Sequence, residues 1–415
     1  MRPSIFLLWY GGKMHSAAMS RYKAVLCFMM CACVMWIVLM YFFVTATPYS
    51  RDNRGSFLIL PFPDHFRLDG NLTVPVRACT WTKDSGLIPC VYRTGKQMQT
   101  TNGSRLHLAV VACGERSGEA LVLLKSAVAL TTSFIVLYIF TDTKQHSFFV
   151  KEFKSWPPAC LERVELRLYP DTYPDMQNWR HQFAPCASQR LLFPSLLKDV
   201  DAVAYVDADA VLLSPLDKMW NYFSRFNSTQ MLALVPEHED AAVSWYHQSS
   251  KIPFFRPFGL NSGVILMNLT RLRQVNWSST LVQYHQVYEK NIVFFDQDLI
   301  NIDCHFHPER LYLMDCSMNY RVDHCESRES TPGSVCKSAE RDGAYLLHGS
   351  KRSFKNVAAF KAVYRAFEKY KLGDNLLSGL LEPLQGELFK IRENHRKESS
   401  CNHLPMIFLR HFLMR

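Results

Sequence analysis

Acidic residues are absent from the first 51 positions of this 415-residue chain, while Arg2, Lys13, Arg21 and Lys23 are present there. That one-signed charge excludes an ordinary mixed globular surface for the N-terminal stretch. Charge is also modest overall, at 20% Asp, Glu, Lys and Arg. With 48% hydrophobic residues, this excludes a mainly disordered chain. Glycine (17) and proline (20) are too few for a low-complexity or collagenous protein, and no internal repeat is present. No Cys-x-x-Cys pair occurs, which argues against a structural zinc site. The net charge is +10, but the basic residues are scattered and not interleaved with aromatics. This favours a solvated basic surface over a nucleic-acid footprint, so no nucleic-acid partner is expected.

One long apolar run stands out. Ala24 to Ala46 carries no charge over 23 residues, and a membrane-spanning helix needs about 20. The run exceeds a usual signal-peptide core, although the small residues Thr45-Ala46-Thr47 leave cleavage as an alternative. The basic residues before it predict a cytosolic N-terminus and a luminal remainder, in the Golgi or the endoplasmic reticulum. Residues 1–23 then read as a cytosolic tail and 24–46 as a single-pass type II anchor. A Pro-, Gly-, Thr- and Asn-rich stem covers 47–105. A catalytic domain follows over 106–373, then a C-terminal tail over 374–415.

Five sequons, at Asn71, Asn102, Asn227, Asn268 and Asn276, agree with a luminal domain. Ten of the thirteen cysteines lie beyond the apolar run, where an oxidising lumen allows pairing. Cys316, Cys325 and Cys336 sit in a loop that a staple would stabilise. Cys79 and Cys90 bracket a stem segment. Spacing alone does not decide which of them pair.

From Leu106 the texture changes. Short, apolar, β-branched runs at 106–113, 134–140, 164–169 and 202–206 read as buried strands. Helical spacing at 119–130 and 187–197 separates them. Further strands are expected at 264–267 and 344–347, and a helix at 355–372. Alternating strands and helices predict an α/β fold with a mostly parallel sheet. In such sheets, ligands bind beyond the carboxyl ends of the strands.

Asp207-Ala208-Asp209 closes one of these strands. Two carboxylates one residue apart offer hard oxygen ligands to Mn²⁺ or Mg²⁺, and the phosphates of a substrate supply others. An isolated D-x-D is often a solvated turn; its place at the end of a buried strand points to a metal site. Asn261-Ser262-Gly263 is expected just before a strand, able either to approach a sugar closely or to form a plain turn. Asp296-Gln297-Asp298 reads as a helix N-terminus or as part of a site. His348 follows a strand and can act as a third metal ligand. Lys351, beyond it, can neutralise a phosphate.

Taken in order, VVACGE, PCASQRL, YVDADAVLL, the NSGV run, DQDLIN and LLHGSK resemble glycosyltransferase family 8, the glycogenin-like retaining transferases. PEHE (236–239) and NYRVDHC (319–325) resemble most its glucoside xylosyltransferase subgroup. The resemblance covers about residues 106–370. It implies a GT-A fold, a UDP-sugar donor, Mn²⁺, and retention at the anomeric carbon. It places metal ligands at Asp207, Asp209 and His348. Nucleotide and donor contacts fall on Ala112, Cys113, Gly114, Arg190, Ala208, Asn261, Ser262, Gly349 and Lys351. Asp296, Gln297 and Asp298 would line the reacting face of the sugar, with Asp298 one candidate nucleophile.

The subgroup implies transfer of xylose from UDP-xylose in α-1,3 linkage to O-linked glucose on EGF-like repeats such as those of Notch. Other readings remain: a family member using UDP-glucose or UDP-galactose, or a silent binding protein on the same scaffold. Three departures from the subgroup are visible. The 273–296 segment is shortened. Phe294-Phe295 stands where Trp-Gly is expected, and the metal motif is Asp-Ala-Asp rather than Asp-Thr-Asp.

Overall fold

The computed structural model describes residues 90–92 (backbone only), 105–171, 173, 179, 186–242, 244–325, 334–394 and 399–413. The expected cytosolic tail, the anchor and nearly all of the stem lie outside these residues, as do Cys79, Asn71 and Asn102. Chain contacts divide the protein into 1–61 and 62–415. Among the described residues no helix is long and apolar enough to cross a membrane.

The core of the second unit is one eight-stranded sheet. Its strands are β1 (Cys90–Tyr92), β2 (Leu106–Val111), β3 (Ile135–Thr141), β4 (Val164–Pro170), β5 (Ala202–Val206), β7 (Leu232–Pro236), β8 (Leu260–Asn268) and β9 (Leu311–Leu313). Between β5 and β7 in the chain comes β6 (Ala210–Leu212), which pairs with β10 (Leu346–His348) in a separate two-stranded sheet. The order across the large sheet is β1-β4-β3-β2-β5-β8-β7-β9. β2 to β5 are mutually parallel, β8 runs antiparallel between β5 and β7, and β1 is antiparallel at the edge. The expected mostly parallel α/β sheet is what forms.

The apolar runs split by parity, because alternate side chains point to opposite faces. In β2, Leu108 and Val110 enter one core layer and Ala109 and Val111 the other. In β3, Leu137 and Ile139 face one way, and Tyr138 and Phe140 the other. Both faces are covered, so these strands are apolar throughout instead of alternating. Helices Ser117–Leu130 and Ala358–Lys369 pack on the first face, through residues such as Leu123, Ala127, Phe360 and Phe367. Helices Trp277–Tyr288 and Asp296–Phe306 pack on the second, through Trp277, Leu281, Leu299 and Ile302.

Two expectations need correction. The Asn261-Ser262-Gly263 run lies inside β8, not before it. The 374–415 segment is part of the domain: helices Glu382–Asn394 and Pro405–Leu413 bury Leu384, Leu388, Ile391, Ile407, Phe408 and Phe412 against the first face. Pro383 and Gly386 disguise the first of these helices, since both residues are poor helix formers. Among the described residues, three disulfides lock the domain: Cys113–Cys186, Cys316–Cys336 and Cys325–Cys401. The loop cysteines are thus stapled as expected, but one partner comes from the supposed tail.

Candidate functional site

β5 ends at Val206, and the chain turns out of the sheet through Asp207, Ala208 and Asp209 into β6. Ala208 tucks into the core while the two carboxylates stay half-exposed. The antiparallel pairing of β10 with β6 sets His348 opposite Ala210. This backbone register carries the imidazole to the acidic pair across more than 130 residues of chain. His348 Nε2 lies 3.7 Å from Asp207 Oδ2 and 3.6 Å from Asp209 Oδ1.

One ligand atom from each of the three residues falls within 4.8 Å of the others. Ligands at about 2.1 Å in an octahedral shell are separated by roughly 3 Å when adjacent and roughly 4 Å when opposite. The triad therefore fits a small divalent ion, and two carboxylates with an imidazole suit one chemically. Burial alone would raise the Asp209 carboxyl. The hydrogen bond and charge of a protonated His348 ring, and the Arg116 guanidinium 3.3 Å away, outweigh it and hold the group well below the usual carboxylate range.

Gly263 makes room for this histidine. A Cβ at that position would stand 2.2 Å from His348 Cε1 and 2.7 Å from Nδ1. Gly263→Ala is expected to push the imidazole off its carboxylate partners. Divalent-ion-dependent nucleotide binding should fall at least 10-fold, comparable to losing a ligand's support. Titration of the purified variant checks this; wild-type affinity would contradict it.

Arg190 lies behind the acidic pair and is almost fully buried. Its Nη1 donates to Asp207 Oδ1 at 2.6 Å, to the Tyr205 hydroxyl at 2.9 Å and to the Ser262 carbonyl at 3.0 Å. Its Nε donates to Asp296. The Tyr205 hydroxyl donates to Asp207. One guanidinium thus joins the ends of β5 and β8 to the start of the Asp296–Phe306 helix.

The Asp296-Gln297-Asp298 run opens that helix. Gln297 accepts through Oε1 from the Ser262 N–H (3.1 Å) and hydroxyl (3.2 Å), and donates through Nε2 to Glu237 (3.2 Å). Asp298 is buried, and its oxygens accept from the Tyr246 hydroxyl (2.6 Å) and the N–H groups of Val293 (2.7 Å) and Phe294 (2.9 Å). It therefore anchors the preceding loop, and the expectation of Asp298 as an attacking carboxylate does not fit this geometry. Phe295, where the resemblance leads one to expect glycine, takes φ 56° and ψ −129°. Such a backbone suits glycine and costs an L side chain about 1–3 kcal/mol.

The remaining expected residues divide. Ala112 donates its N–H to Phe140 (2.8 Å), and Gly114, at φ 62°, donates its own to Asp142 (2.6 Å). Cys113 is held in the disulfide to Cys186, which ties the end of β2 to the segment carrying Arg190. The Gly349 N–H bonds the Asp209 carbonyl at 2.7 Å. The Lys351 ammonium, in contrast, pairs with Asp323 and lies over the Trp245 ring at 5.8 Å. It is therefore engaged at the rim and not beside the triad's carboxylates.

Sequence reasoning passed over Arg116, Tyr205, Glu237, Tyr246 and Asn319 as site residues. Glu237 and Asn319 lie in the PEHE and NYRVDHC stretches, which carried the resemblance without any role attached.

Next to this network, burial pushes the Glu239 carboxyl up to about 7, despite the Arg321 guanidinium. The folded value lies above that of the unfolded chain. The native state therefore keeps a proton that the unfolded state has released, and this stability is complete below about pH 4.5 and lost as pH rises through about 7. Glu239→Gln should match wild type near pH 4.5 and exceed it near pH 8, by about 3 kcal/mol. Denaturant titrations at the two pH values check this; an equal offset at both would contradict it.

Comparison with known proteins agrees with this geometry. The profile described as "Glycosyl transferase family 8" matches residues 108–312. Glucoside xylosyltransferase 2 of Xenopus laevis is 39% identical over 320 residues, 74% of this chain and 73% of its own. Glucoside xylosyltransferase 1 of Mus musculus is 40% identical, over 72% of this chain and 76% of its own. Among solved structures, apo mouse xyloside xylosyltransferase 1 overlaps 60% of this chain and 99% of its own. It does so at 16% identity and a TM-score of 0.43, an overlap that decides nothing by itself. With relatives of this identity and coverage, the chain belongs to glycosyl transferase family 8.

Proposed function

We propose that the protein is a retaining xylosyltransferase that takes xylose from UDP-xylose. The observation that carries this is the convergence of Asp207, Asp209 and His348, backed by Arg190, in a chain 39–40% identical to glucoside xylosyltransferases. The triad would hold Mn²⁺. When bound, such an ion supplies positive charge to the diphosphate of the leaving UDP.

The chain's own residues do the rest. Arg190 and Tyr205 aim Asp207 by hydrogen bonds, and Arg116 helps keep Asp209 ionised. Ser262, Asn261 and Gln297 form the polar floor where the sugar would lie. As the anomeric carbon–phosphate oxygen bond breaks, the acceptor hydroxyl oxygen bonds to that carbon from the same face, and its proton passes to the leaving phosphate. With Asp298 holding its loop and Asp296 paired to Arg190, attack without a carboxylate nucleophile from this run is favoured.

The acceptor is O-linked glucose on EGF-like repeats, joined in α-1,3 linkage. The enzyme is a type II protein of the Golgi or endoplasmic reticulum, anchored through residues 24–46. The support is the uncharged apolar run with basic residues before it and the three disulfides beyond it. The test is a donor panel of UDP-xylose, UDP-glucose and UDP-galactose with Mn²⁺ and a glucosylated EGF-like repeat. Xylose transfer alone is expected. Preference for a hexose would overturn the donor, and no turnover with any donor would point to a silent scaffold.

A further inference from the structure

We infer that a one-way chain of buried amides, running from Glu237 through Asn261 to Asn319, sets the tautomer of His348 and so presents a bare Nε2 to the metal position. The inference rests on the triad being a metal site, but its first test needs no metal.

The direction of the chain follows from groups that have only one role. The Glu237 carboxylate, 2% exposed, can only accept. The Gly263 backbone N–H can only donate. Both face the side chain of Asn261: Gly263 N–H bonds its Oδ1 at 3.0 Å, and its Nδ2 bonds Glu237 Oε2 at 2.8 Å. With an acceptor on one side and a donor on the other, this amide cannot flip. Asn261 Oδ1 therefore accepts a second bond, from Asn319 Nδ2 at 2.7 Å. That turns Asn319 Oδ1, which has no hydrogen, toward His348 Nδ1 at 2.9 Å. Nδ1 must then carry the proton. In the neutral ring Nε2 is left with its lone pair, facing Asp207 and Asp209.

The same carboxylate also receives Gln297 Nε2, so Glu237 orders two donor-side amides at once. Water has little access: Asn319 is 0% exposed and His348 5%. The segment that carries Asn319 is itself pinned. The Tyr320 N–H bonds the Leu346 carbonyl (2.9 Å), and the His348 N–H bonds the Tyr320 carbonyl (2.8 Å). The Cys316–Cys336 and Cys325–Cys401 bridges close the segment on either side. Disulfides distant from the chemistry thereby support a metal ligand. Asn319 and Glu237 are positioning residues, since they act through His348.

The test uses the full chain labelled with ¹⁵N-histidine, without metal, near pH 8. The His348 signal, assigned by its loss in His348→Gln, is expected to show a protonated Nδ1 and an unprotonated Nε2. The opposite tautomer in wild type overturns the inference, whatever the metal affinity. In Asn319→Ala the ring is released: the tautomer signature should shift, and Mn²⁺ affinity in the presence of UDP should fall about 10- to 100-fold. Glu237→Gln should cost less, because Gly263 still orients Asn261. Asn319→Ala protein that folds with the signature and the affinity of wild type overturns the inference. If Asn319→Ala fails to fold, the wild-type signature decides. If the signature is as expected but wild type binds no Mn²⁺, it is the metal reading that fails and the relay that stands.

Discussion

Asp209→Asn is expected to lower sugar transfer by about 100- to 1,000-fold while leaving the fold intact. Asp209 is one of two carboxylates that can neutralise a divalent ion, and the neutral amide is a weaker hard-oxygen ligand. Its side chain is partly exposed and its ion pair with Arg116 lies at the surface, with Arg116 more than half exposed. That pair adds at most about 1 kcal/mol, and the His348 contact that also holds the Asp209 carboxyl low is lost with it, so the melting temperature should fall by only a few degrees. The Asp209 carbonyl keeps its bond to the Gly349 N–H, because that contact is backbone to backbone. Calorimetric titration of UDP with and without Mn²⁺, beside a transfer assay, measures both halves. In wild type, Mn²⁺ should strengthen UDP binding; in the variant, that gain should largely vanish. Full turnover in Asp209→Asn would remove the triad from the chemistry.

Arg190→Ala should cost stability and activity together. Arg190 is 6% exposed and compensates two carboxylates, Asp207 and Asp296, the second of them 3% exposed. Removing the cation leaves buried negative charge without a partner, at a cost of about 3–5 kcal/mol. For a domain this large, at roughly 2–4 °C per kcal/mol, the melting temperature should drop by about 10 °C. The hydrogen bonds to Tyr205 and to the Ser262 carbonyl disappear as well, freeing the ends of β5 and β8 from the Asp296–Phe306 helix. Arg190→Met combined with Asp296→Asn should recover part of the stability, because the buried charge is removed with its partner, but not the activity. A thermal melt within 2 °C of wild type for Arg190→Ala would show that the network is solvated and not load-carrying.

The two predictions differ because the two residues lie at different depths. Asp209 is at the mouth of the site, where water stabilises whatever replaces it. Arg190 is in the interior, where nothing does. The ion-binding edge is therefore tolerant in folding and intolerant in function, while the guanidinium behind it is intolerant in both.

How far the sequence reaches can be judged residue by residue. Ala202–Val206 was legible as a strand from an apolar run of strand length ending in Asp207, and it forms with those bounds. β2, β3 and β4 were legible for the same reason. The β6 strand was not read, since three residues carry too little pattern to separate a strand from a loop, and β7 was passed over although it is as long as β5. Helix Pro405–Leu413 was left unassigned because its apolar residues have no partner within the segment; its partners are Phe360 on another helix, Tyr320 in a loop and the first core face.

The candidate site shows the same division. Asp207 and Asp209 could be proposed as ligands from their spacing and place on a strand. His348 could be named as a third ligand from its chemistry and from the resemblance, but nothing in its spacing joined it to the pair; the β10–β6 register is what brings it to them. Asp298 looked equivalent to Asp296 in the sequence. Tertiary contacts separate them, giving one a guanidinium and the other a hydroxyl and two backbone N–H groups.

By itself, then, the sequence determined the properties that arise within a few residues: alternating faces, apolar strands, a carboxylate pair one residue apart. These depend on backbone geometry that each short segment carries with it. The tertiary structure alone decided which side chains share a proton or a charge, from Glu237 to His348 and from Arg190 to Asp296. Those partners stand about 110 positions apart, and hydrogen bonds and charges in a dry interior act on distance in space and not along the chain.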